Sequence, residues 1–151
     1  MASLPGLIVG AVSSFLVFAQ ANAQPLPRDP RVSLPDMPVA AMESVGPDAY
    51  GRASALAEGG GSPLDIALAI VGPFDGATQH VVQMNEGGEA PSSARILVLR
   101  DGLLDDSVRG ERWDIVLGRG GAGAWSIRDV KRSWRCWRGA DTDRFSAQRC
   151  P

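Results

Sequence analysis

The second half of the chain changes its hydrophobic period from helical to extended, and this change sets the fold class. After Thr78, apolar and polar residues alternate, most cleanly at Trp113, Ile115 and Leu117, which share one face of a strand. In the last extended segment the alternation reverses near Asp129, which predicts a β-bulge or a bend. Polar or glycine-rich connectors divide the region into four predicted strands, at residues 78–85, 94–101, 109–118 and 124–138.

Helical signals precede these strands. Ser62 is a good N-cap, Pro63 suits the first helical position and Gly72 stops the helix, so a helix is predicted over residues 63–71. Residues 47–58 predict a second helix. Helices followed by an antiparallel meander indicate an α+β fold, with one or two N-terminal helices packed on a curved four-stranded sheet. By analogy of shape alone, this is a cystatin-like or nuclear-transport-factor-like roll.

The N-terminus has the pattern of an export signal. Residues 6–19 are apolar and uncharged, and Ala21 and Ala23 occupy the positions that a signal peptidase reads. The run is shorter than the roughly 20 residues of a membrane-spanning helix. Residues 1–23 are therefore predicted to be a signal peptide, with no transmembrane span after cleavage and a periplasmic or extracellular location. A leader retained as a membrane anchor is the alternative, since the segment before residue 6 lacks Lys and Arg.

Five prolines between Pro25 and Pro38 follow the leader. Proline removes backbone donors and disfavours helix in the preceding residue. Residues 24–46 are therefore predicted to be a mobile, proline-rich arm that acts as a spacer or a docking peptide. Residues 47–151 are predicted to be a single α+β domain.

The chain contains two cysteines, Cys136 and Cys150. In an exported protein an even pair is expected to oxidise, so a disulfide is predicted between them. It would tie the C-terminal tail to the last strand. The spacing is not that of a Cys-x-x-Cys motif, which argues against a redox pair.

Charge is unevenly distributed along the chain. Residues 24–108 carry a net charge of −7, whereas residues 109–151 carry +5. The densest basic segment, RDVKRSWRCWR at residues 128–138, interleaves arginine with tryptophan, and we call it the Arg/Trp-rich strand. Arginine pairs with anions and stacks on indole rings, so the strand predicts a partner surface formed by Arg128, Lys131, Arg132, Arg135, Trp137 and Arg138.

The predicted partner of the Arg/Trp-rich strand is an anionic polymer, lipid headgroups or an acidic protein, and export argues against nucleic acid. A second interpretation remains open. In it, Trp134 and Cys136 face inward, while the arginines pair with acidic residues of the first half of the chain.

No motif predicts a catalytic residue, a metal ligand or a cofactor. His80, the only histidine, shares strand parity with Val82 and Met84 and is predicted to face the core as a structural residue. The acidic residues between 101 and 111 match no calcium-loop spacing and indicate turns. The glycine-rich segment 118–123 lacks the ending of a phosphate loop.

The C-terminal third resembles a pattern found in small, uncharacterised exported proteins of bacteria. The matching segments are DDSVRGERW at 105–113, WSI at 125–127, WRCWRG at 134–139, FS at 145–146, and Cys150. Those relatives often continue the last glycine with Arg-Gly-His, where this chain has Ala-Asp-Thr. The resemblance implies a shared cysteine pair and strand order, and it implies no activity.

Together these patterns predict an exported, non-enzymatic domain that binds an anionic or acidic partner through the Arg/Trp-rich strand. One alternative is a small-ligand pocket or a hydrolase between helix 63–71 and the sheet, which a deep cavity lined by His80 and carboxylates would favour. The other alternative is a structural accessory protein of the cell envelope.

Overall fold

The structure, a computed structural model, describes residues 36–121, 123–139 and 141–151. Within these residues, two α-helices accompany one antiparallel sheet of five strands in the order β1-β5-β4-β3-β2. The predicted α+β class with an antiparallel meander is confirmed. The elements are β1 (Glu43–Ser44), α1 (Gly51–Glu58), α2 (Pro63–Val71), β2 (Gly76–Glu86), β3 (Ser93–Leu103), β4 (Val108–Arg119) and β5 (Trp125–Cys136).

The helix α2 begins and ends where its sequence signals predict. The Ser62 hydroxyl accepts a hydrogen bond from the Asp65 amide at 3.2 Å, which satisfies one of the unpaired donors of the first turn. At the other end Gly72 has a φ of 70°, a backbone conformation that residues other than glycine rarely adopt. The predicted helix over 47–58 is instead a 3-10 turn, Pro47–Tyr50, followed by α1.

Both helices pack on one face of the sheet, which we call the helix face. α2 lies against β3 and β4, whereas α1 lies against β5. Ile66 of α2, Ile96 and Val98 of β3, and Ile115 of β4 are fully buried in this core. Burial of each such side chain stabilises the fold by about 1.5–3 kcal/mol.

The opposite face of the sheet, which we call the open face, carries a smaller core. Met37, Leu99 and Phe145 are buried together there. Phe145 donates its amide to the carbonyl of Pro38 at 2.8 Å, and Ala40 donates its amide to the carbonyl of Phe145 at 2.8 Å. The start of the described chain and the C-terminal tail therefore cover part of this face together.

The fifth strand was not among the four predicted. Glu43 and Ser44 pair with Arg132 and Lys131 along the outer side of β5. The described part of the predicted mobile arm, residues 36–46, thus joins the sheet, because β5 would otherwise present unpaired main-chain groups. The remainder of the arm and the predicted signal peptide, residues 1–23, lie outside the described residues.

A β-bulge in β5 confirms the predicted reversal near Asp129. Val116 pairs with Asp129 and Leu117 pairs with Ile127, so Arg128 is the extra residue. The bulge keeps Ile127 on the helix face beside Val130, which is 1% exposed.

The prediction that His80 faces the core is wrong. His80 is exposed on β2, as are its neighbours Val81, Val82 and Met84, which are 36–45% exposed. His80 lies opposite Leu99 of β3, on the open face, whereas the helices lie on the other face. The small core of the open face includes no residue of β2, so the face to which strand parity assigned His80 is uncovered at this edge.

In the ranges that the structure describes, no helix combines the length and the apolar character needed to cross a membrane.

Candidate ligand-binding cleft

The strand geometry divides the predicted Arg/Trp-rich surface between two faces, because successive side chains of a strand point to opposite sides. Arg132 lies on the helix face, opposite Trp113 in the register of β4. Lys131 lies opposite Asp114, and Arg135 opposite Gly110, so these two cations lie on the open face. The six predicted residues do not form one continuous surface.

Three cations of the Arg/Trp-rich strand have acidic partners. Arg132 pairs with Glu111 and Arg135 pairs with Asp101. Lys131 lies 3.2 Å from the carboxylate of its own neighbour on the strand, Asp129. Asp101 belongs to the acidic first half of the chain, as the second interpretation of the sequence predicts, whereas Glu111 lies in the basic second half.

Burial differs sharply along this strand. Trp134, Arg135 and Cys136 are 2–4% exposed, so Trp134 and Cys136 face inward. Burial lowers the pKa of Arg135, and the nearby Asp101 carboxylate partly offsets this effect. By contrast, Arg128 and Arg138 are exposed. The cations of the strand are thus partly structural and partly available to solvent.

The predicted disulfide between Cys136 and Cys150 is confirmed. It joins the end of β5 to the tail, and the Cys136 amide donates to the carbonyl of Asp141 at 2.8 Å. Trp137 follows the disulfide-bonded residue and is 46% exposed. Its indole donates to the carbonyl of Asp105 at 2.9 Å, and the guanidinium of Arg109 lies 5.1 Å from its ring centroid.

A cleft with a volume of about 480 Å³ opens beside the C-terminal end of α2. One wall consists of the last turn of α2 and the residues after it, and the other walls come from β3, β4, β5 and the loop between β3 and β4. The lining residues are Ile70, Val71, Pro73, Asp75, Arg100, Leu103, Leu104, Asp105, Glu111, Trp113 and Arg132. The predicted set contributes one residue to this cleft, Arg132.

Of the two arginines in the cleft, Arg100 has a structural role, because its donors are taken up by hydrogen bonds within the fold. Its guanidinium donates to the carbonyls of Val71 at 2.9 Å, Gly72, and Pro73 at 3.1 Å. Its Nε donates to the Gln79 side chain at 2.9 Å. Arg100 is 4% exposed, and desolvation lowers its pKa although Glu111 partly offsets the shift. These bonds satisfy the open carbonyls at the end of α2.

Arg132, the second arginine, is held in position by two aromatic rings and by Glu111. Its guanidinium lies 4.6 Å from the ring centroid of Trp113 and 4.8 Å from that of Trp134. Glu111 accepts from Arg132 and also from the Trp113 indole at 3.1 Å. Among the described residues, Arg132 makes one hydrogen bond, from Nη2 to the Glu111 oxygen that does not accept from Trp113. Its Nε is buried without a partner, so the donors left for a ligand are on Nη1 and Nη2.

Carboxylates limit the kind of ligand that the cleft accepts. Asp75, Asp105 and Glu111 outnumber the two lining guanidiniums by one. Hydrogen bonds from the amides of Val108 and Ser107 lower the pKa of Asp105, so this group stays ionised well into the acid range. These carboxylates would repel a polyanion.

The residue types in the lining determine which chemical groups the cleft can offer. None of the lining residues, all within the described ranges, is Ser, Thr, Cys, Lys or His, and His80 lies on β2 outside the cleft. In the same ranges no group of three or more His, Cys, Asp or Glu side chains is placed to hold a metal ion. The cleft offers apolar side chains, an indole, three carboxylates and two guanidiniums, all of which can contact a ligand.

Comparison of the chain with protein-family models, with curated proteins and with solved structures found no match.

The sequence contains a signal for the cleft that belongs to no motif, namely a charged residue on an apolar strand face. Arg100 shares strand parity with Ile96 and Val98, so a charged side chain falls on the apolar face of β3. Such a residue requires buried acceptors, and the nearest candidates along the chain are the carbonyls at the end of a helix. Glu111 carried the same signal, because it shares parity with Trp113, Ile115 and Leu117, but its contact with Arg132 depends on the pairing of β4 with β5.

Proposed function

We propose that this protein is an exported, non-enzymatic binding domain that takes a small amphipathic ligand with one acidic group into the cleft beside α2. The observation that carries the proposal is the state of Arg132, which two indoles and Glu111 hold at the cleft wall while its Nη1 makes no hydrogen bond within the described residues. A guanidinium in this setting pairs strongly with a carboxylate, sulfonate or phosphate.

The size and lining of the cleft support a ligand with an apolar body. Small-molecule sites commonly measure about 300–1,000 Å³ and combine apolar walls with a few polar groups. Ile70, Val71 and Leu103 line the cleft, and Leu104 in the same lining is 81% exposed. An apolar ligand body would cover this leucine, whose exposure otherwise costs about 1.5–3 kcal/mol.

Two fluorescent probes test the proposal. Anilinonaphthalene sulfonate has an aromatic body and one acidic group, and N-phenylnaphthylamine has the same body without that group. We expect the sulfonate to bind the protein about ten-fold more tightly than the neutral probe, because only the sulfonate pairs with Arg132. Equal affinity for both probes would show that the acidic group of the ligand does not contribute to binding.

Substitutions separate the two parts of the site. Arg132→Gln should abolish the preference for the sulfonate while leaving the neutral probe nearly unaffected. Leu104→Ser should weaken both probes. Arg128→Gln is the matched control, since Arg128 is an exposed arginine of the same strand outside the cleft, and it should change neither affinity. A loss of sulfonate preference in the control instead of in Arg132→Gln would contradict the assignment.

The exposed cations support a second candidate function, the binding of an anionic polymer, lipid headgroups or an acidic protein. Arg128, Lys131, Arg138 and Trp137 are all exposed, and Arg109 stacks on Trp137. For this candidate, retention on heparin should fall with salt and disappear in Arg128→Glu/Lys131→Glu/Arg138→Glu. Retention that this triple change leaves intact would exclude these residues as the binding surface.

We also propose export through a cleaved signal peptide over residues 1–23, to the periplasm or the extracellular space. The disulfide between Cys136 and Cys150 supports it, because such bonds persist in oxidising compartments. N-terminal sequencing of exported protein should begin near Gln24. Recovery of chains that start at Met1 from the membrane fraction would contradict cleavage.

For the finer fold, we propose a roll of the cystatin-like or nuclear-transport-factor-like kind, with the sheet curved around the helices. The chain order of helices before an antiparallel meander supports this analogy of shape. An experimental structure with a flat sheet would contradict it.

A further inference from the structure

The two edges of the sheet differ in how they are covered. On one side β1 pairs with β5, and beyond it Ser146 of the tail exchanges hydrogen bonds of 2.8 and 2.9 Å with Trp134. On the other side β2 is the last strand. Among the described residues β3 is the one strand that pairs with β2. Eleven residues, Gly76–Glu86, therefore present a row of main-chain donors and acceptors.

This edge lacks the features with which proteins usually prevent strand pairing. Such features are lysine or proline on the edge, a bulge, or a very short strand. β2 is long, its ladder with β3 shows no register shift, and its sequence GATQHVVQMNE contains no Lys, Arg or Pro. Val81, Val82 and Met84 are exposed on it. Uncharged, exposed strands of this kind are templates for the addition of another strand.

We propose that β2 pairs with β2 of a second copy of this chain, antiparallel and across a two-fold axis, with Val81 opposite Val81. A two-fold axis perpendicular to the sheet keeps the helix face of both copies on the same side, so opposite residues must share strand parity. Val81 is the centre of Gly76–Glu86. This register therefore pairs all eleven residues of both strands.

In this register no two charged side chains lie opposite each other. On the helix face Val81 meets Val81. On the open face His80 meets Val82 and Thr78 meets Met84, so each exposed apolar residue gains an apolar or uncharged partner. Formal charge enters only at Glu86, which lies opposite Gly76. A strongly acidic or basic peptide would find no opposite charges along this edge, whereas a second copy matches β2 in length and in neutrality.

The expected affinity follows from the size of the contact. Eleven residues at about 3.4 Å each give an edge roughly 37 Å long. With a sheet about 10 Å thick, the contact buries about 400 Å² on each copy, less than the roughly 800 Å² of a typical stable interface. About ten main-chain hydrogen bonds add specificity. We therefore expect a reversible dimer with a Kd of roughly 10–100 μM.

Sedimentation equilibrium over a range of concentrations around that Kd measures the dimer directly. Val81→Lys places like charges face to face and should raise the Kd at least ten-fold. Leu64→Lys is the control, because it adds the same charge at a leucine of similar exposure outside both β2 and the cleft, and it should leave the Kd unchanged. A wild-type protein that stays monomeric at about 1 mM, whether β2 is left free or covered by another segment, would overturn the proposal.

Cysteine cross-linking tests the register. Val81→Cys places the two thiols directly opposite each other, within reach of a disulfide, so mild oxidation should yield a covalent dimer. In Met84→Cys the thiols of the two copies would be about 20 Å apart in the same register, and no covalent dimer should form. Equal cross-linking of both variants would refute the register, and cross-linking of neither would refute the pairing.

Discussion

The guanidinium of Arg100 on β3 donates a hydrogen bond to the carbonyl of Val71, 2.9 Å away at the end of α2. The carbonyls of Gly72 and Pro73 accept from the same group. The last carbonyls of a helix lack partners within the helix, and a cation also interacts favourably with that end of its dipole. One buried arginine thus attaches α2 to the sheet and forms the inner wall of the candidate cleft.

The first prediction concerns this attachment. Arg100→Met keeps an unbranched apolar stem but leaves three carbonyls and the Gln79 amide oxygen without their donor. We expect the free energy of unfolding in urea to fall by about 2–4 kcal/mol. Arg100→Lys should lose roughly half as much, because an ammonium group cannot reach all four acceptors. Arg52→Met on the exposed side of α1 is the control, with an expected change below about 0.5 kcal/mol.

The second prediction concerns the disulfide. Cys136→Ser/Cys150→Ser removes the constraint on a loop of about 15 residues, so we expect a loss of about 3 kcal/mol of stability. Because Phe145 bonds to Pro38 and Ala40, the effect should extend to the start of the described chain. Hydrogen exchange should therefore accelerate more at the amides of Phe145 and Ala40 than at those of β3, which respond only to the global loss of stability. Exchange that accelerates equally at all of these amides would show that the tail opens only when the whole domain unfolds.

The third prediction concerns acid pH. Amides of Val108 and Ser107 lower the pKa of Asp105 in the folded state. A carboxylate whose pKa is lowered by folding stabilises the protein above its unfolded pKa of about 3.9, and this contribution is lost as pH falls through the lowered value. Urea unfolding should therefore show Asp105→Asn to be less stable than wild type at neutral pH. That gap should shrink below about pH 4.

The neighbouring change Asp106→Asn serves as the control for Asp105, because the Asp106 side chain makes no hydrogen bond among the described residues. A stability gap for Asp105→Asn that is independent of pH would assign its effect to packing rather than to charge.

The fourth prediction concerns the bulge in β5. Deletion of Arg128 should leave Ile127 opposite Leu117 and on the helix face, since Arg128 is the extra residue. We expect a cost below about 1.5 kcal/mol. Deletion of Lys131, in the regular part of the ladder, turns every residue before it to the opposite face and should prevent folding. Thermal unfolding followed by circular dichroism compares the two deletions.

Much of the fold was predictable because its signals are local. The capping residues of α2 and the alternation of β4 depend on a few neighbouring positions, and the parity reversal around Asp129 located the bulge. The predicted core position of His80 failed for a different reason. Alternation assigns a residue to a face of a strand, but whether that face is covered depends on elements far along the chain.

The candidate site was less predictable than the fold. The density of Arg and Trp indicated β5, but the pairing of β4 with β5 and of β3 with β4 decided that Arg135 is buried against Asp101 and that Arg132 reaches the cleft. Arg128 and Arg138 have the same residue type and remain exposed. Composition alone cannot separate these cases, because desolvation and partners arise only from the assembled sheet.

The sequence by itself determined the α+β class, the bounds of α2, the bulge in β5 and the disulfide between Cys136 and Cys150. Hydrophobic period, helix capping and cysteine count act at short range or through chemistry that needs no register. Only the tertiary structure decided that residues 36–46 complete one edge of the sheet, that β2 forms the other, and that Arg132 lines a cleft. Those outcomes depend on which distant segments supply main-chain partners and cover each face.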